Sequence, residues 1–178
     1  MKRQRSIVLF LAKFFATYLL SFVIYSFYLR ETQNKEVAFS CAPITTLVAE
    51  QTEEILSFWG FNAAHVQHKE EMSVKLILNG QYTARVIEGC NSVSIIILFI
   101  SFIVAFAGTL KSTLIFGVIG AISIYIINIL RIAFLTVMLY KYPEEQEFLH
   151  NLVFPAIIYG FTFLLWVIWV QKFSKYKS

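Results

Sequence analysis

The sequence predicts an all-α membrane protein: a bundle of four transmembrane helices with both termini in the cytoplasm, and an extracytoplasmic insertion that contains an amphipathic helix and a β-hairpin. Composition is the first observation, because 58% of the 178 residues are hydrophobic and only 15% are charged. Soluble domains have about 25% charged residues, so an ordinary water-soluble protein is excluded. The grouping of the apolar residues and the distribution of charge are the other two observations.

Four long apolar blocks are the predicted spans, at residues 7–29, 91–110, 112–139 and 151–171. Each is close to the roughly 20 helical residues needed to cross a hydrocarbon core about 30 Å thick. Lipid offers no hydrogen-bond partners to the backbone, so these blocks must be helices. The first block exceeds the 7 to 15 apolar residues of a signal-peptide core, and no small-residue cleavage pattern follows it. We therefore expect it to remain attached as an anchor.

Charge sets the predicted orientation. With both termini inside, the cytoplasmic segments carry Lys2, Arg3, Arg5, Lys111, Lys172, Lys175 and Lys177. All 11 acidic residues are glutamates, and they fall on the opposite side. Lys and Arg in short loops determine orientation, so this division favours both termini inside. The net charge of +4 then follows from topology, and no basic patch indicates a nucleic-acid partner.

The extracytoplasmic insertion spans residues 30–90 and shows two local patterns. Residues 43–59 predict an amphipathic helix on the outer leaflet or on the bundle, with Gly60 after it. Its predicted apolar face, at helical spacing, consists of Ile44, Leu47, Val48, Ile55, Phe58 and Trp59. Residues 72–78 and 81–87 flank Asn79-Gly80, a strong hairpin signal. The second strand leads to Cys90, at the outer end of the second span. No internal repeat or second domain is evident, so residues 1–178 are one membrane domain.

Cys90, Arg131 and His150 are the candidate catalytic residues, because the topology places them at one depth. Cys90 and His150 lie at the outer starts of the second and fourth spans. Arg131 lies 19 residues after Ser112, which is about 28 Å along a helix and close to the same interface. A thiol, an imidazole and a guanidinium at one membrane face have the chemistry needed for acyl transfer.

Each group has a predicted role. Cys90 is the nucleophile, and a nearby cation stabilises its thiolate. His150 is the general acid and base, and Arg131 stabilises the oxyanion or holds a substrate carbonyl. A charge this deep in a span is a functional hypothesis by default. Asn91, Asn128 and Glu88 are candidate supporting residues: Asn128 shares a helix face with Arg131, and Glu88 either supports His150 or Arg131 or is a rim glutamate.

Three motifs resemble those of a known family. Glu88-Gly-Cys90-Asn-Ser, Asn128-Ile-Leu-Arg131-Ile and His150-Asn-Leu-Val-Phe are similar to the Cys, Arg and His motifs of the exosortase and archaeosortase family of membrane cysteine transpeptidases. The short form of the chain is similar to the small exosortase F type. The sequence departs from the family pattern after the cysteine, where it has Asn91-Ser92 and many members have a small residue and glycine. This departure keeps the thiol but affects the expected geometry around the oxyanion.

The resemblance implies a multi-pass enzyme of the bacterial cytoplasmic membrane with its active site on the extracytoplasmic side. Its substrates would be membrane-anchored proteins with a C-terminal sorting signal: a short motif, a transmembrane helix and a basic tail. The enzyme would form an acyl thioester on Cys90 and transfer the protein to an acceptor nucleophile, without a cofactor. The lipid bilayer surrounds it, and an accessory membrane protein is a further candidate partner.

Several alternatives stay open from sequence. Cys41 and Cys90 both lie on the disulfide-permissive side and are candidates for a bridge. Arg131 alone is also typical of an arginine that snorkels to headgroups. His65 and His68 lack a third ligand, so no metal site is predicted.

Other functions are also open. A non-catalytic membrane subunit or small transporter is the main alternative, although the repeats and broken helices typical of transporters are not evident. A thiol oxidoreductase ranks lower because it normally needs a C-x-x-C pair.

Overall fold

The computed structural model describes residues 2–33, 39–106 and 108–174, without the side chains of residues 2, 3, 5 and 6. These residues form a mostly helical protein with one small sheet. Its helices and strands are α1 (Lys2–Thr32), α2 (Pro43–Phe58), β1 (Ala63–Gln67), β2 (Ser73–Leu78), β3 (Gln81–Ile87), α3 (Val93–Ala105), α4 (Leu110–Lys141), α5 (Gln146–Phe148) and α6 (Phe154–Lys172). A 3-10 turn, Glu88–Cys90, joins β3 to α3, and a π-helical segment, Leu149–Val153, precedes α6.

Three helical stretches are long and apolar enough to cross a membrane: Ile7–Thr32, Leu110–Lys141 and Pro143–Lys172. They contain the first, third and fourth predicted spans. The second predicted span, residues 91–110, forms only the 13-residue helix α3. Such a helix is about 20 Å long, which is shorter than the hydrocarbon core. The structure therefore supports a membrane protein with three candidate spans, and a fourth crossing stays a prediction.

Packing against α6 accounts for the early end of α3. The chain leaves the helix at Phe106 and enters α4 at Thr109, whose hydroxyl accepts a hydrogen bond from the Ser112 backbone N–H at 3.2 Å. Gly108 lies directly against the Trp169 ring, where a Cβ atom would be 2.7 Å from the ring. The connection must stay close to α6 at this point, so the apolar run does not continue as one helix.

The helices pack around a core that includes Phe99, Ile103, Ile124, Ile158 and Trp169. Small residues bring α3 and α4 together: a Cβ atom on Gly120 would lie 2.3 Å from the Phe99 ring. Close approach at glycine is a common way to pack helices in lipid, where van der Waals contact replaces the hydrophobic driving force. On the other side of α3, Phe10 of α1 contacts Phe106, with ring centroids 4.6 Å apart.

Helix α2 agrees with the amphipathic helix predicted at residues 43–59 and ends at the expected place, with Gly60 at φ 90°. Its buried stripe differs from the predicted apolar face. The stripe is Thr45, Val48, Ala49, Thr52 and Leu56, whereas Leu47 and Phe58 are exposed. Two threonines obscure this stripe in the sequence. Their hydroxyls are hydrogen-bonded inside the protein, Thr52 to the Val48 carbonyl and Thr45 to Glu88.

The predicted hairpin is present as β2 and β3, with Asn79 and Gly80 both at positive φ. Strand β1 was not predicted, because its five residues lack a clear alternation of apolar and polar side chains. It pairs antiparallel with β2, so the order is β1-β2-β3 and β3 lies at an edge. Val74 and Val86 of the sheet share a core cluster with Ile129 and Ile132 of α4. The sheet therefore lies over one end of the bundle, which we call the sheet end.

The basic residues that set the predicted orientation lie partly outside the described structure. Lys111 and Lys172 are at the end of the bundle away from the sheet, since they begin α4 and end α6. Lys175 and Lys177 lie outside the described residues, as do the side chains of Lys2, Arg3 and Arg5. The side of the membrane that each end faces stays a prediction.

Replacing Gly120 by alanine tests the α3–α4 contact. The new methyl group overlaps the Phe99 ring, so we expect Gly120→Ala to destabilise the protein by about 1–3 kcal/mol. Gly160→Ala is the matched control, because nothing lies within 4 Å of its Cβ position and alanine favours a helix by about 0.5–1 kcal/mol. Thermal unfolding of the detergent-purified variants measures both, and equal melting temperatures would contradict the close contact.

Candidate functional site

Cys90 lies at the end of β3, in a turn that buried polar contacts hold in place. The neighbouring Asn91 is 1% exposed. Its Nδ2 donates to the Tyr25 hydroxyl at 2.7 Å and to the Thr45 hydroxyl at 3.0 Å. Its Oδ1 accepts from the Val93 backbone N–H at 3.1 Å, at the start of α3. Asn91 thus ties the turn that carries Cys90 to three helices.

Glu88 makes its hydrogen bonds to the start of α2. One carboxylate oxygen accepts from the Ala42 backbone N–H at 2.6 Å, and the other accepts from the Thr45 hydroxyl. A carboxylate at a helix N-terminus satisfies unpaired N–H groups and interacts favourably with the helix dipole. The carboxylate therefore orients α2 against the Cys90 turn. The sequence left open whether Glu88 supports His150 or Arg131. In the structure it is hydrogen-bonded to neither of these two residues.

Ser92 has an unusual backbone conformation two residues after Cys90. Its φ is 65°, in the left-handed region that glycine adopts most easily. Many members of the exosortase and archaeosortase family, whose cysteine motif this stretch resembles, have glycine at this position. The Ser92 hydroxyl is also buried without a hydrogen-bond partner among the described residues. Two unfavourable features at one residue beside the thiol are typical of a functional site.

Arg131 is linked to the Cys90 backbone through Asn128. The Arg131 guanidinium donates to Asn128 Oδ1 at 2.8 Å, and Asn128 Nδ2 donates to the Cys90 carbonyl at 2.7 Å. Arg131 is only 8% exposed, so this side chain does not snorkel to headgroups. The prediction that Asn128 shares a polar face with Arg131 agrees with this geometry.

Phe154 provides the second contact for Arg131. Its backbone carbonyl accepts from the guanidinium at 3.3 Å, and the guanidinium carbon lies 4.3 Å from the centre of its ring. The Arg131 Nε is buried and has no partner among the described residues. Two of the guanidinium nitrogens therefore donate to the protein, whereas the buried Nε–H has no partner among the described residues.

His150 lies in the π-helical segment Leu149–Val153. Such segments often occur at functional sites, and Pro155, which lacks a backbone N–H, lies two residues after the end of this one. The residue is exposed, and its imidazole lies near the Phe154 ring, with ring centroids 5.5 Å apart and the planes tilted by 60°. Among the described residues no carboxylate is hydrogen-bonded to His150, and the residue lines both cavities described below.

A cavity of about 180 Å³ brings the three candidate residues together. Cys90, Arg131 and His150 all line it, as does Asn128. A larger cavity, about 560 Å³, shares Cys90, His150 and Phe154 with the small one. The side chains come from the turn after β3, from α4 and from the segment before α6. Their chemical roles stay predictions.

Cys41 is buried at the sheet end and lines neither of the two cavities. It belongs to the core cluster, and its sulfur accepts a hydrogen bond from Gln67 Nε2 at 3.7 Å. Burial raises the pKa of the Cys41 thiol, the Glu88 charge raises it further, and the Gln67 hydrogen bond acts in the opposite direction. Both cysteines are free thiols in the structure, so the alternative Cys41–Cys90 bridge is not formed.

The two histidines outside the site have separate partners. His65 Nδ1 contacts the Glu53 carboxylate, and His68 Nδ1 accepts from the Glu70 backbone N–H at 3.1 Å. Each ring therefore stabilises its own local structure, one at the α2–β1 contact and one in the turn before β2.

Two residues of the site were not identified from sequence. Phe154 is the fifth residue of the histidine motif and lies one helical turn from His150, and that spacing was the available signal. For Ser92 the available signal was the glycine that many members of the resembled family have at this position, because glycine is the residue that most easily adopts a positive φ. Neither residue type is itself reactive in acyl transfer, which is why an inspection for nucleophiles, acids and bases misses them.

The fold and the cavity define a helical membrane protein in which a thiol, an imidazole and a guanidinium meet at the sheet end. A family model described as Transmembrane exosortase matches residues 6–170. The chain therefore belongs to the transmembrane exosortase family, and this suggests a transpeptidase-type enzyme. The matched region includes all three motifs. No curated protein and no solved structure matches the chain significantly.

The conformation of Ser92 can be tested by substitution. Glycine removes the steric cost of the left-handed backbone, whereas a β-branched side chain increases it. We expect the free energy of unfolding of Ser92→Val to be at least about 1 kcal/mol lower than that of Ser92→Gly. Thermal unfolding of the purified variants measures the difference. Ser94→Val, at an exposed position of α3, is the control and should change little. Equal stability of the valine and glycine variants at position 92 would contradict the left-handed conformation.

Thiol labelling distinguishes the two cysteines. In folded protein at neutral pH, we expect maleimide to modify Cys90 and to leave Cys41 unmodified, because Cys41 is buried and its raised pKa lowers its thiolate fraction. Unfolding in denaturant should expose both. Mass spectrometry of the peptides measures the labelling. Protection of both thiols that is removed only by a reductant would instead indicate a disulfide.

Proposed function

We propose that this exosortase-family protein cleaves the C-terminal sorting signal of membrane-anchored surface proteins through a thioester on Cys90 and transfers them to an acceptor nucleophile. The observation that carries the proposal is the shared cavity, in which Cys90, Arg131 and His150 meet. Nucleophile, proton carrier and oxyanion donor are the groups that acyl transfer from an amide requires.

In the first half-reaction, His150 removes the Cys90 thiol proton, and the thiolate attacks the carbonyl carbon of the scissile peptide bond. The C–N bond of the tetrahedral intermediate then breaks. His150 returns the proton to the leaving amine, so the substrate's transmembrane helix departs with a new N-terminus. The surface protein is left as an acyl thioester on Cys90.

In the second half-reaction, an acceptor amine or water attacks the thioester carbonyl. His150 takes the proton of the attacking group and returns it to sulfur as the C–S bond breaks. The surface protein is released with a new C-terminal bond, and the thiol is regenerated. No redox step or cofactor is needed, because each bond that breaks is replaced by a bond to the same carbonyl carbon.

Arg131 stabilises the oxyanion in both half-reactions. Asn128 and the Phe154 carbonyl hold its guanidinium, and its Nε is a donor without a partner in the described part of the chain. A donor held in place before the reaction needs little reorganisation when charge develops on the carbonyl oxygen. The fixed contacts offset part of the cost of burying Arg131, and the free Nε–H gains a charged partner only as the oxyanion forms.

The proposed location is the bacterial cytoplasmic membrane, with the sheet end facing outwards. Two features support this orientation. Lys111 and Lys172 lie at the opposite end of the bundle, where the positive-inside rule expects them. Glu50, Glu54 and Glu144, which are exposed, lie at the sheet end. A surface protein with a basic tail would then present its cleavage site at the same face as Cys90.

Substitution of Cys90 tests the proposed reaction. We expect Cys90→Ala to abolish cleavage, so that surface proteins of the host keep their C-terminal helix and remain in the membrane fraction. His150→Gln should have a similar effect, and Arg131→Lys should slow cleavage about 100-fold, the typical loss for one oxyanion donor. Mass spectrometry of the C-terminal peptides measures cleavage in cells.

The matched control is Cys41→Ala, which removes a thiol outside the cavity and should preserve cleavage when the protein is present at normal levels. Membrane abundance of each variant, measured by immunoblot, separates loss of function from loss of protein. Identical C-termini with and without Cys90 would overturn the enzymatic proposal and leave a non-catalytic membrane subunit.

A further inference from the structure

The larger cavity runs along the edge of strand β3. It has a volume of about 560 Å³, and six consecutive residues, Tyr82 to Ile87, line it. Side chains of a strand alternate between its two faces, so a cavity above one face would contact every second residue. Contact with consecutive residues means that the cavity lies beside the backbone. We call this space the β3 groove.

The backbone along this groove is available for pairing. Strand β3 is at the edge of the sheet and pairs on one side with β2. In the sheet that the described residues form, no other strand pairs with its outer side. An edge strand presents a row of N–H and C=O groups that can bind a further strand. One wall of the groove is therefore a row of backbone donors and acceptors, with one irregularity at Thr83, where the register with β2 shifts.

The opposite wall is formed by two helical stripes and is mainly apolar. Helix α4 contributes Ile132, Leu135, Thr136 and Leu139. The segment before α6 contributes Gln146, Leu149, His150 and Phe154. Both sets follow the spacing of one helix face. A ligand of this groove therefore meets hydrogen-bonding groups on one side and apolar side chains on the other.

The groove also leads to the candidate catalytic residues. Cys90 follows β3 by three residues, and both Cys90 and His150 line the β3 groove as well as the small cavity that contains Arg131. A chain lying along β3 would thus continue directly to the thiol. Because the groove is continuous with the site, its ligand is expected to be a polypeptide whose reacting bond lies at Cys90.

We propose that the β3 groove binds the substrate segment next to the cleavage site as an added β-strand, paired with β3. This inference rests on the proposed function, because the bound segment belongs to the protein that Cys90 cleaves. Six residues of β3 are about 20 Å long, so the groove recognises a short extended stretch. Backbone hydrogen bonds supply affinity, and alternate apolar side chains facing Leu135 and Leu139 supply selectivity.

Other occupants fit the groove less well. A helix has its backbone groups paired internally and a diameter of about 10–12 Å, so it leaves the edge of β3 unpaired. A lipid chain cannot form hydrogen bonds with the edge at all. An extended peptide can form hydrogen bonds with the edge of β3 and place side chains against the apolar wall. Its backbone groups lie along one edge, and its side chains project at right angles to them.

Cysteine cross-linking tests this binding mode. The enzyme carries Arg85→Cys or Ile87→Cys, both exposed positions of β3, in a background of Cys41→Ala and Cys90→Ala that retains uncleaved substrate. The probe is the surface protein whose processing depends on Cys90 in the experiment above, with single cysteines placed in turn before its transmembrane helix. Residues opposite each other in paired strands have Cα atoms about 4.5–5.5 Å apart, within disulfide range.

We expect each enzyme cysteine to cross-link most strongly to one substrate position, at least tenfold above its neighbours. Moving the enzyme cysteine from 85 to 87 should shift the preferred substrate position by two residues, because paired strands advance together. Arg85→Cys also removes the exposed ion pair with Glu71, which contributes little to stability. Val66→Cys, at the opposite edge of the sheet on β1, is the control and should not cross-link.

The outcomes separate the two proposals. If no C-terminus in the host depends on Cys90, the proposed function fails, and the β3 groove fails with it. If processing depends on Cys90 but cross-links are absent, equal at Val66, or spaced by three to four residues, strand addition alone is overturned. A shift of two residues supports it.

Discussion

The Asn128 amide joins two groups that the membrane environment makes costly to bury, the Arg131 charge and the Cys90 carbonyl. Its oxygen accepts from the guanidinium and its nitrogen donates to the carbonyl. In apolar surroundings an unpaired partner costs several kcal/mol, so the three groups are stable only as a connected set. This set fixes the distance between the turn after β3 and helix α4. The position of the candidate nucleophile relative to the buried charge follows from it.

A second set of polar contacts holds the same turn from the opposite side. Asn91 donates to Tyr25 and Thr45, and Glu88 accepts from the start of α2. The residues on either side of Gly89-Cys90 are therefore anchored, while the thiol itself faces a cavity. Rigid neighbours around an accessible reacting group are what preorganised catalysis requires. The left-handed Ser92 is tolerated because these contacts determine the path of the chain around it.

The apolar helices and the small sheet contribute different parts of the site. The apolar helices support Arg131 and bring the His150 segment to the same cavity, and the glycine contacts between α3 and α4 set how closely they pack. The small sheet carries Cys90 and leaves the edge of β3 facing a groove. A substrate held on the sheet would reach groups that the helices hold in place. Under the proposed function, this division of work would let the site act on a chain that emerges from the bilayer.

Cys90, Arg131 and His150 were predicted to lie together from the topology of the spans and from the family motifs, and all three line one cavity. Features that depend on local composition were also predictable from the sequence: the membrane class, three long apolar helices, helix α2 and the hairpin at Asn79-Gly80. Each follows from hydrophobicity, periodicity or turn preference within a short stretch. The tertiary structure decided the rest. Trp169 against Gly108 ends α3 early, pairing with β2 makes a strand of β1, and packing directs Glu88 to α2 and Phe154 to Arg131. These outcomes depend on contacts between residues far apart in the chain, and no local pattern in the sequence contains that information.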